Sequence, residues 1–286
     1  MQLIIAKPPR LGYCCGMNQS FAGYSITRSM SGGGMTKLYV AVDAQQERYV
    51  IRVLDAVMAK ERKNRARFFR GGEILAKLQK GRPDIVPFVK QGYEGKVPYM
   101  VLRYIESRTL RDLILYREPL LTDNVVLFIK QLAHVIQYVH LQGYLHLDIK
   151  PENLLVQPNG QLVLIDFDLA LPRKRFFKKV KESPGTTSYV PPETLVNHTA
   201  DERADIYAFG ICCYEMLTFH KPYEGEKIEK VRADQIDPKV PPTPIRQLNP
   251  DIPVALANLV MKCIAKNPDD RYPDMGLVLR DLDRLG

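Results

Sequence analysis

The chain has 286 residues, of which 45% are apolar and 26% are charged, and its formal net charge is +9. This composition is sufficient for a sizeable packed core, in one large domain or in two closely packed lobes. No run of about 18 apolar residues occurs, which predicts that no helix spans a membrane. The apolar run of four residues before Lys7 is too short for a secretory signal.

The five cysteines form two adjacent pairs and one single residue: Cys14, Cys15, Cys212, Cys213 and Cys263. This spacing matches neither a zinc site nor a disulfide framework. We therefore expect free thiols in a reducing compartment, and the cytoplasm is the predicted location.

Basic residues are concentrated in two segments. Residues 60–70 carry six basic residues and one acidic residue, and residues 173–181 carry six basic residues and no acidic one. One interpretation is a solvated helix face and a mobile loop. The other is a surface for an acidic protein partner, a phosphorylated protein or an anionic surface, without any nucleic-acid motif. The second segment, flanked by Ser183, is the predicted partner-facing surface.

The first half of the chain has a β-rich pattern. Residues 1–23 show no periodicity and are interpreted as an N-terminal extension. Four strands are predicted, at residues 39–42, 49–53, 85–89 and 99–104. A basic helix is predicted over residues 56–80, with an interruption at Gly71-Gly72, because each glycine costs a helix about 1 kcal/mol relative to alanine.

After Thr109 the pattern becomes helical. Residues 124–141 place their apolar side chains on one stripe, which is the spacing of an amphipathic helix. Two further helices are predicted at residues 204–217 and 254–265. The chain contains no internal repeat. A β-rich front followed by a helical rear predicts an α+β fold.

The strongest chemical signal is a loop with a fixed series of polar residues. Asp148 is followed by Lys150 and Asn153, and Asp166 comes directly after an apolar strand at residues 162–165. Phosphoryl transfer requires a group that orients the acceptor hydroxyl and charges that balance the transferring phosphate. Mg²⁺ prefers oxygen ligands, which Asn and Asp supply. The joint spacing therefore indicates phosphoryl transfer.

These residues resemble the protein-kinase catalytic loop and the metal-binding Asp-Phe-Gly motif that follows it. The resemblance extends over about residues 24–285. It implies that residues 24–286 form a bilobal kinase domain. The expected parts are a small β-rich N-lobe with one main helix (about 24–103), a hinge (about 103–107) and a larger helical C-lobe (about 108–286).

The resemblance also implies roles for the loop residues, with ATP and Mg²⁺ as cofactors. Asp148 would orient the substrate hydroxyl and accept its proton, and Lys150 would neutralise the γ-phosphate. Asn153 and Asp166 would hold Mg²⁺. The position of Lys150, two residues after Asp148, is that of serine/threonine kinases.

Residues 185–193 resemble the end of a kinase activation segment. By this resemblance Thr186 would bond to the catalytic Asp and Lys. Glu193 would form an ion pair with Arg271, and Asp205 would hold the backbone of the catalytic loop.

Residues 31–39 resemble the glycine-rich loop that covers the nucleotide phosphates, although Ser31 and Thr36 replace the first and third glycines. Lys37 is a conceivable substitute cation, but strand alternation predicts that it points away from the nucleotide. Leu102 would be the gatekeeper. The residues expected to bind the nucleotide are Met30, Ser31, Gly32, Gly33, Gly34, Leu38, Val50, Arg52, Arg103, Ile105 and Leu155.

The usual phosphate clamp is altered in two places. Arg52 stands where the resemblance expects the strand lysine, and a forked guanidinium does not replace a point charge conservatively. Aligned on Phe68, the helix position that should carry glutamate is Gly71. An alternative alignment would use Glu73 instead, but it would place lysines on the packed face.

Two further departures concern the catalytic segment. Leu147 replaces the arginine that usually reads activation-loop phosphorylation, so that switch is expected to be absent. Asp168 replaces the glycine after Asp166-Phe167 and is expected to face solvent, with contact to the metal as the alternative. The sequence thus leaves two hypotheses: a slow serine/threonine kinase, or a pseudokinase that acts as a nucleotide-binding or scaffolding module.

Overall fold

The structure is a computed structural model, and it describes residues 20–30, 35–173, 178–179 and 187–285. The chain divides into two compact units. The first comprises Met1–Arg65 with Val89–Tyr104, and the second comprises Ala66–Phe88 with Ile105–Gly286. The first is built on a β-sheet and the second is mainly helical, as expected for the α+β class.

The sheet has six strands in the order β1-β2-β3-β4-β6-β5. Its strands are β1 (Ser20–Phe21), β2 (Tyr24–Met30), β3 (Thr36–Val42), β4 (Arg48–Leu54), β5 (Phe88–Glu94) and β6 (Val97–Arg103). The pairs along β2, β3, β4 and β6 are antiparallel. The predicted strands at 39–42, 49–53 and 99–104 are therefore confirmed, with somewhat different ends.

Side-chain alternation divides this sheet into two faces. Tyr49 and Ile51 of β4 belong to a buried cluster with Ala41, Tyr99 and Val101. The intervening residues of β4 point to the opposite face, because successive side chains of a strand alternate.

The predicted strand at 85–89 is placed too early and overlaps the observed strand only at residues 88–89. Ile85 forms only an isolated parallel bridge with Leu164, and β5 begins at Phe88. Pro87 lacks the N–H that a strand ladder requires, which explains why the strand starts after it.

The first long helix, α1 (Arg62–Leu78), belongs to the second unit from Ala66 onward, and it runs without a break through Gly71-Gly72. The predicted interruption is therefore wrong, and so is the predicted start at residue 56, because Glu61 is extended and a separate 3₁₀ turn precedes it. Phe68, Leu75 and Leu78 are all at most 1% exposed. Tertiary packing of this apolar face outweighs the helix propensity of the glycines.

The second unit contains short strands and nine further helices among the described residues. The strands are β7 (Arg108–Thr109), β8 (Tyr144–Leu145), β9 (Leu154–Val156), β10 (Leu162–Leu164), β11 (Leu171–Pro172), β12 (Lys178–Lys179) and β13 (Thr199–Ala200). The helices are α2 (Leu110–Leu115), α3 (Pro119–Thr122), α4 (Val125–Leu141), α5 (Pro192–Asn197), α6 (Glu202–Thr218), α7 (Ile228–Ile236), α8 (Ile245–Leu248), α9 (Val254–Cys263) and α10 (Met275–Asp283).

Helix α6 is the centre of the helical unit. Every residue from Ala204 to Thr218 is buried, and the helix packs against α4, α8 and α9. At Gly210 an added Cβ would lie 2.6 Å from Cγ2 of Ile264 and 2.7 Å from Cβ of Cys263. The contact between α6 and α9 therefore requires a residue without a side chain.

We predict that Gly210→Ala lowers the free energy of unfolding by about 1–3 kcal/mol, as overpacking of a core does. The loss should appear although alanine is the better helix former by about 1 kcal/mol. Gly225→Ala, in the loop before α7, is the control for the added methyl group, because its Cβ would meet Cγ2 of Val231 at an ordinary 3.5 Å. Urea unfolding of both variants provides the measurement, and equal stabilities would contradict the close helix contact.

Candidate active site

The loop at residues 146–153 is held by a buried carboxylate from the start of α6. Asp205 is fully buried. Its Oδ2 accepts hydrogen bonds from His140 Nε2 and from the backbone N–H of His146, both at 2.8 Å. Its Oδ1 accepts from the backbone N–H of Leu147 at 2.7 Å. The expectation that Asp205 braces the catalytic loop is confirmed.

These bonds also decide the charge of Asp205. Burial by itself would raise the pKa of this carboxyl, but the hydrogen bonds from the His140 side chain and from the His146 backbone oppose burial, and the pKa is lowered. The anion is thus the stable form. It fixes the loop where Leu147 adopts a left-handed φ of 62°, which is costly for a residue with a branched side chain.

The loop brings the predicted catalytic residues together. Lys150 Nζ lies 2.9 Å from each carboxylate oxygen of Asp148. Asn153 Nδ2 donates to Asp148 Oδ2 at 2.8 Å and to the Asp148 carbonyl at 2.9 Å. Proline at the start of the 3₁₀ turn Pro151–Asn153 favours this tight return of the chain. Asp148 is therefore oriented by two donors on one short loop.

The environment of Asp148 favours a bound proton more than water does. Burial raises its pKa, the charge of Lys150 opposes this, and the negative charge of Asp166 raises it further. A carboxylate with a raised pKa is a better proton acceptor for a hydroxyl than an ordinary aspartate.

His146 connects the loop to the segment that carries Asp166. Its Nδ1 accepts from the Asp148 N–H at 3.2 Å, so its Nε2 carries the proton and donates to the Ile165 carbonyl at 3.2 Å. Burial lowers the pKa of His146, which favours this neutral form. The ring also packs edge-on against Phe167, with centroids 4.7 Å apart.

The predicted metal ligands present suitable chemistry. Asp166 has a left-handed φ of 61°, and its Oδ1 accepts from the Asp168 N–H at 3.3 Å. Asn153 donates through its amide nitrogen, which leaves its carbonyl oxygen as the ligand atom. Asp166 and Asp148 are close enough for one charge to raise the pKa of the other. These oxygen donors fit a hard cation such as Mg²⁺.

The expected ion pair of the helical unit is present. Arg271 donates from Nη1 and Nη2 to the two oxygens of Glu193, both at 2.8 Å. The Arg271 side chain is fully buried, and its Nε and remaining donor capacity serve backbone carbonyls. This bidentate pair fixes the start of α5, which follows the activation segment.

Sequence reasoning missed a network around the catalytic loop. Arg111 donates from Nε to Glu152 at 2.9 Å and from Nη2 to Glu215 at 3.1 Å. Glu215 also accepts from the hydroxyl of Tyr189 at 2.7 Å. Glu152 lies between Lys150 and Asn153 in the sequence, and this position in the loop was the sequence feature from which the network could have been predicted.

The nucleotide-binding predictions for the sheet unit fall on one face of the sheet. Cross-strand pairing aligns Met30 with Leu38 and Leu38 with Arg52, and Val50 is two residues from Arg52 on the same strand. Arg52 is only 7% exposed. Lys37 lies on the opposite face, where its Nζ is 3.7 Å from Asp55.

Other predicted residues lie at the ends of strands or beyond the described part. Arg103 ends β6, and its side chain reaches Glu47 at 3.2 Å. In the second unit, the Ile105 carbonyl accepts from Ser107 at 3.1 Å, and Leu155 lies in β9. The predictions for Ser31, Gly32, Gly33, Gly34 and Thr186 lie outside the described residues.

The helix position expected to carry glutamate is Gly71, and Glu73 is exposed. A Cβ added at Gly71 would lie 2.9 Å from Asp168 Oδ1. The expectation that Asp168 faces solvent is wrong, since this residue is only 8% exposed. The physical reason is that the glycine on α1 leaves space for its side chain.

We predict that the free energy of unfolding falls as the pH drops below about 6.5, the ordinary pKa of histidine, in part because of His146. Its pKa is lower in the folded state, so the unfolded chain binds the proton first and stability is lost towards acid. His146→Asn should flatten the stability curve between pH 7 and 5, measured by urea unfolding. His220→Asn, at an exposed histidine, is the control. An unchanged slope in His146→Asn would contradict the neutral buried form.

In the part of the chain that the structure describes, no helix is long and apolar enough to cross a membrane. Cys212, Cys213 and Cys263 are buried free thiols. Burial raises the pKa of each thiol, which keeps them protonated.

Comparison with known proteins agrees with this geometry. The chain is 30% identical over 266 residues to the serine/threonine-protein kinase PknL of Mycobacterium bovis, covering 92% of this chain and 65% of the relative. It is 30% identical over 270 residues to the serine/threonine-protein kinase PrkC of Bacillus subtilis, covering 92% of this chain and 41% of that protein. The chain therefore spans between about two fifths and two thirds of these relatives.

The fold is similar to that of the Mycobacterium tuberculosis PknI kinase domain. The TM-score is 0.71 at 20% identity, covering 94% of this chain and 98% of that one. At this identity the likeness shows the fold, a β-sheet lobe and a helical lobe of the kinase type. The family model of the protein kinase domain matches residues 24–278. The chain thus belongs to the protein kinase family, with relatives of the serine/threonine type.

Proposed function

We propose that this chain is a serine/threonine protein kinase domain that transfers the γ-phosphate of ATP to a protein hydroxyl. The observation that carries the proposal is the arrangement of Asp148, whose carboxylate is bonded at 2.8–2.9 Å by both Lys150 and Asn153. An oriented carboxylate beside a fixed cation is the arrangement that phosphoryl transfer needs for positioning and charge balance.

In the proposed reaction the acceptor hydroxyl gives its proton to Asp148. The hydroxyl oxygen forms the new bond to the γ-phosphorus, the bond to the bridging oxygen breaks, and ADP leaves. Lys150 balances charge on the transferring group. Asn153 and Asp166 would hold Mg²⁺, which when bound neutralises charge on the phosphate oxygens. The raised pKa of Asp148 supports its role as proton acceptor.

We also propose which residues contact the nucleotide in each unit. In the sheet unit these are the shared face of Met30, Leu38, Val50 and Arg52 and the backbone of Arg103, together with the glycine-rich segment 31–34. In the helical unit they are Ile105 and Leu155. A buried guanidinium at Arg52 would bind phosphate by a fork rather than as a point charge, which is the reason that we expect slow transfer.

The proposed domain does not use the common phosphorylation switch at the catalytic loop. Leu147 offers no cation at that position, and its backbone is held by Asp205. The two basic segments, 60–70 and 173–181, support an acidic protein substrate or partner. The buried free thiols support a reducing compartment such as the cytoplasm.

A second candidate function is nucleotide binding without transfer. It is favoured by the loss of both members of the usual clamp, with Arg52 in place of lysine and Gly71 in place of glutamate. Both candidates require Mg²⁺ and ATP to bind, and only the first requires Asp148 as a proton acceptor.

We predict that Asp148→Asn lowers phosphate transfer from labelled ATP by about 10²–10⁴-fold, the usual contribution of a positioned base. Asp123→Asn makes the same change at an exposed site and should leave transfer unchanged. Transfer that persists in Asp148→Asn would remove this residue from its proposed role. A parent chain without transfer but with nucleotide binding would favour the second candidate.

We predict that ATP with Mg²⁺ raises the Tm of the parent by about 5–10 °C at a concentration about 100 times its dissociation constant. The shift should shrink when EDTA removes the metal, and it should shrink equally in Asp166→Asn with Mg²⁺ present. Absence of any shift of Tm at millimolar nucleotide would contradict both candidates, and a scaffolding role without nucleotide would be the remaining interpretation.

A further inference from the structure

The helix α1 and the segment after Asp166 approach each other most closely at Gly71. A Cβ at this position would lie 2.9 Å from Asp168 Oδ1, 3.0 Å from its Cα and 3.0 Å from the carbonyl carbon of Phe167. Real Cβ atoms almost never come within 3.0 Å of a heavy atom to which they are not bonded. The carboxylate of Asp168 thus occupies the space in which a side chain at position 71 would begin.

A second set of contacts ties the same two elements together. Arg70 donates from Nε to the Ala170 carbonyl at 3.1 Å and from Nη2 to the Asp168 carbonyl at 3.4 Å. The Asp168 N–H in turn donates to Asp166 Oδ1 at 3.3 Å. Two hydrogen bonds, one from Arg70 to the Asp168 carbonyl and one from the Asp168 N–H to Asp166, therefore connect α1 with the proposed metal ligand Asp166.

Two departures from the kinase pattern meet at this contact. The helix has glycine where the resemblance expects glutamate, and the segment has aspartate where it expects glycine. Each change alone would alter the number of carboxylates at this place, whereas the two together conserve one carboxylate and one glycine. The exchange joins residues 71 and 168, which are far apart in the sequence.

We propose that Gly71 and Asp168 form one positioning unit, in which Asp168 supplies the carboxylate that kinases of the usual pattern carry on this helix. This inference rests on the proposed function and deepens it. The proposed catalytic site then keeps one carboxylate at this place, but the segment after Asp166 supplies it instead of α1. Burying a carboxylate is costly, and a small apolar residue would have filled the same space without that cost. The charge itself is therefore the reason for aspartate at this position.

A thermodynamic cycle tests the steric half of the proposal. Gly71→Ala should lower the Tm by on the order of 5 °C, although alanine is the better helix former. In the Asp168→Gly background the same substitution should cost clearly less, because the carboxylate is gone and the segment can shift. Additive effects of the two changes on Tm would overturn the idea of a unit.

Isosteric variants test the electrostatic half. Asp168→Asn should reduce kcat about tenfold or more while its Tm and the KM for the protein acceptor stay near those of the parent. In the Asp168→Gly background, Gly71→Glu should retain about tenfold more kcat than Gly71→Gln, which has the same shape without the charge. Equal rates of the Glu and Gln variants, or full activity of Asp168→Asn, would overturn the relocated carboxylate.

The outcomes separate this inference from the proposed function. A parent that transfers no phosphate contradicts the kinase proposal and removes the kinetic comparisons. The Tm cycle still tests the contact between positions 71 and 168. The charge is then tested by the shift of Tm that ATP with Mg²⁺ produces in Gly71→Glu and in Gly71→Gln, both in the Asp168→Gly background. A larger shift in the Glu variant would support the proposal, and an equal shift would overturn it.

Discussion

The hydrogen bonds between the Asp205 carboxylate and the catalytic-loop backbone are the constraint on which the rest of the site depends. They hold the N–H groups of His146 and Leu147, and they stabilise a left-handed residue that would otherwise relax. From that fixed point the loop places Asp148 beside Lys150. A buried anion with three donors is stiff because each donor would lose its partner if the loop moved.

This constraint extends through the ring of His146 to the segment that carries Asp166. His146 accepts from the Asp148 backbone with one nitrogen, donates to Ile165 with the other, and packs against Phe167. Asp148 and the segment carrying Asp166 are thus aligned by the same side chain. The helical unit supplies this alignment from its own residues, all within the described part of the chain.

Local patterns were sufficient to predict what depends on neighbouring residues. The spacing around Asp148 identified the loop and placed Lys150 and Asn153 near Asp148, because the three residues lie within five positions of one another, but it did not predict their hydrogen bonds to the Asp148 carboxylate. Helix α4 followed from its apolar stripe. The sequence could not reveal the burial of Asp168, which depends on a glycine brought close by tertiary packing. It also misplaced β5, where Pro87 outweighed an apolar run.

The close approach at Gly71 also restricts how this protein can change over evolutionary time. A single step from glycine to glutamate would place a Cβ 2.9 Å from Asp168 Oδ1, so the usual kinase pattern cannot be regained one residue at a time without a poorly packed intermediate. Loss of the Asp168 side chain first would open the path, at the expense of the carboxylate. The two positions are therefore expected to vary together among descendants of this chain, and the altered pattern, once acquired, tends to persist.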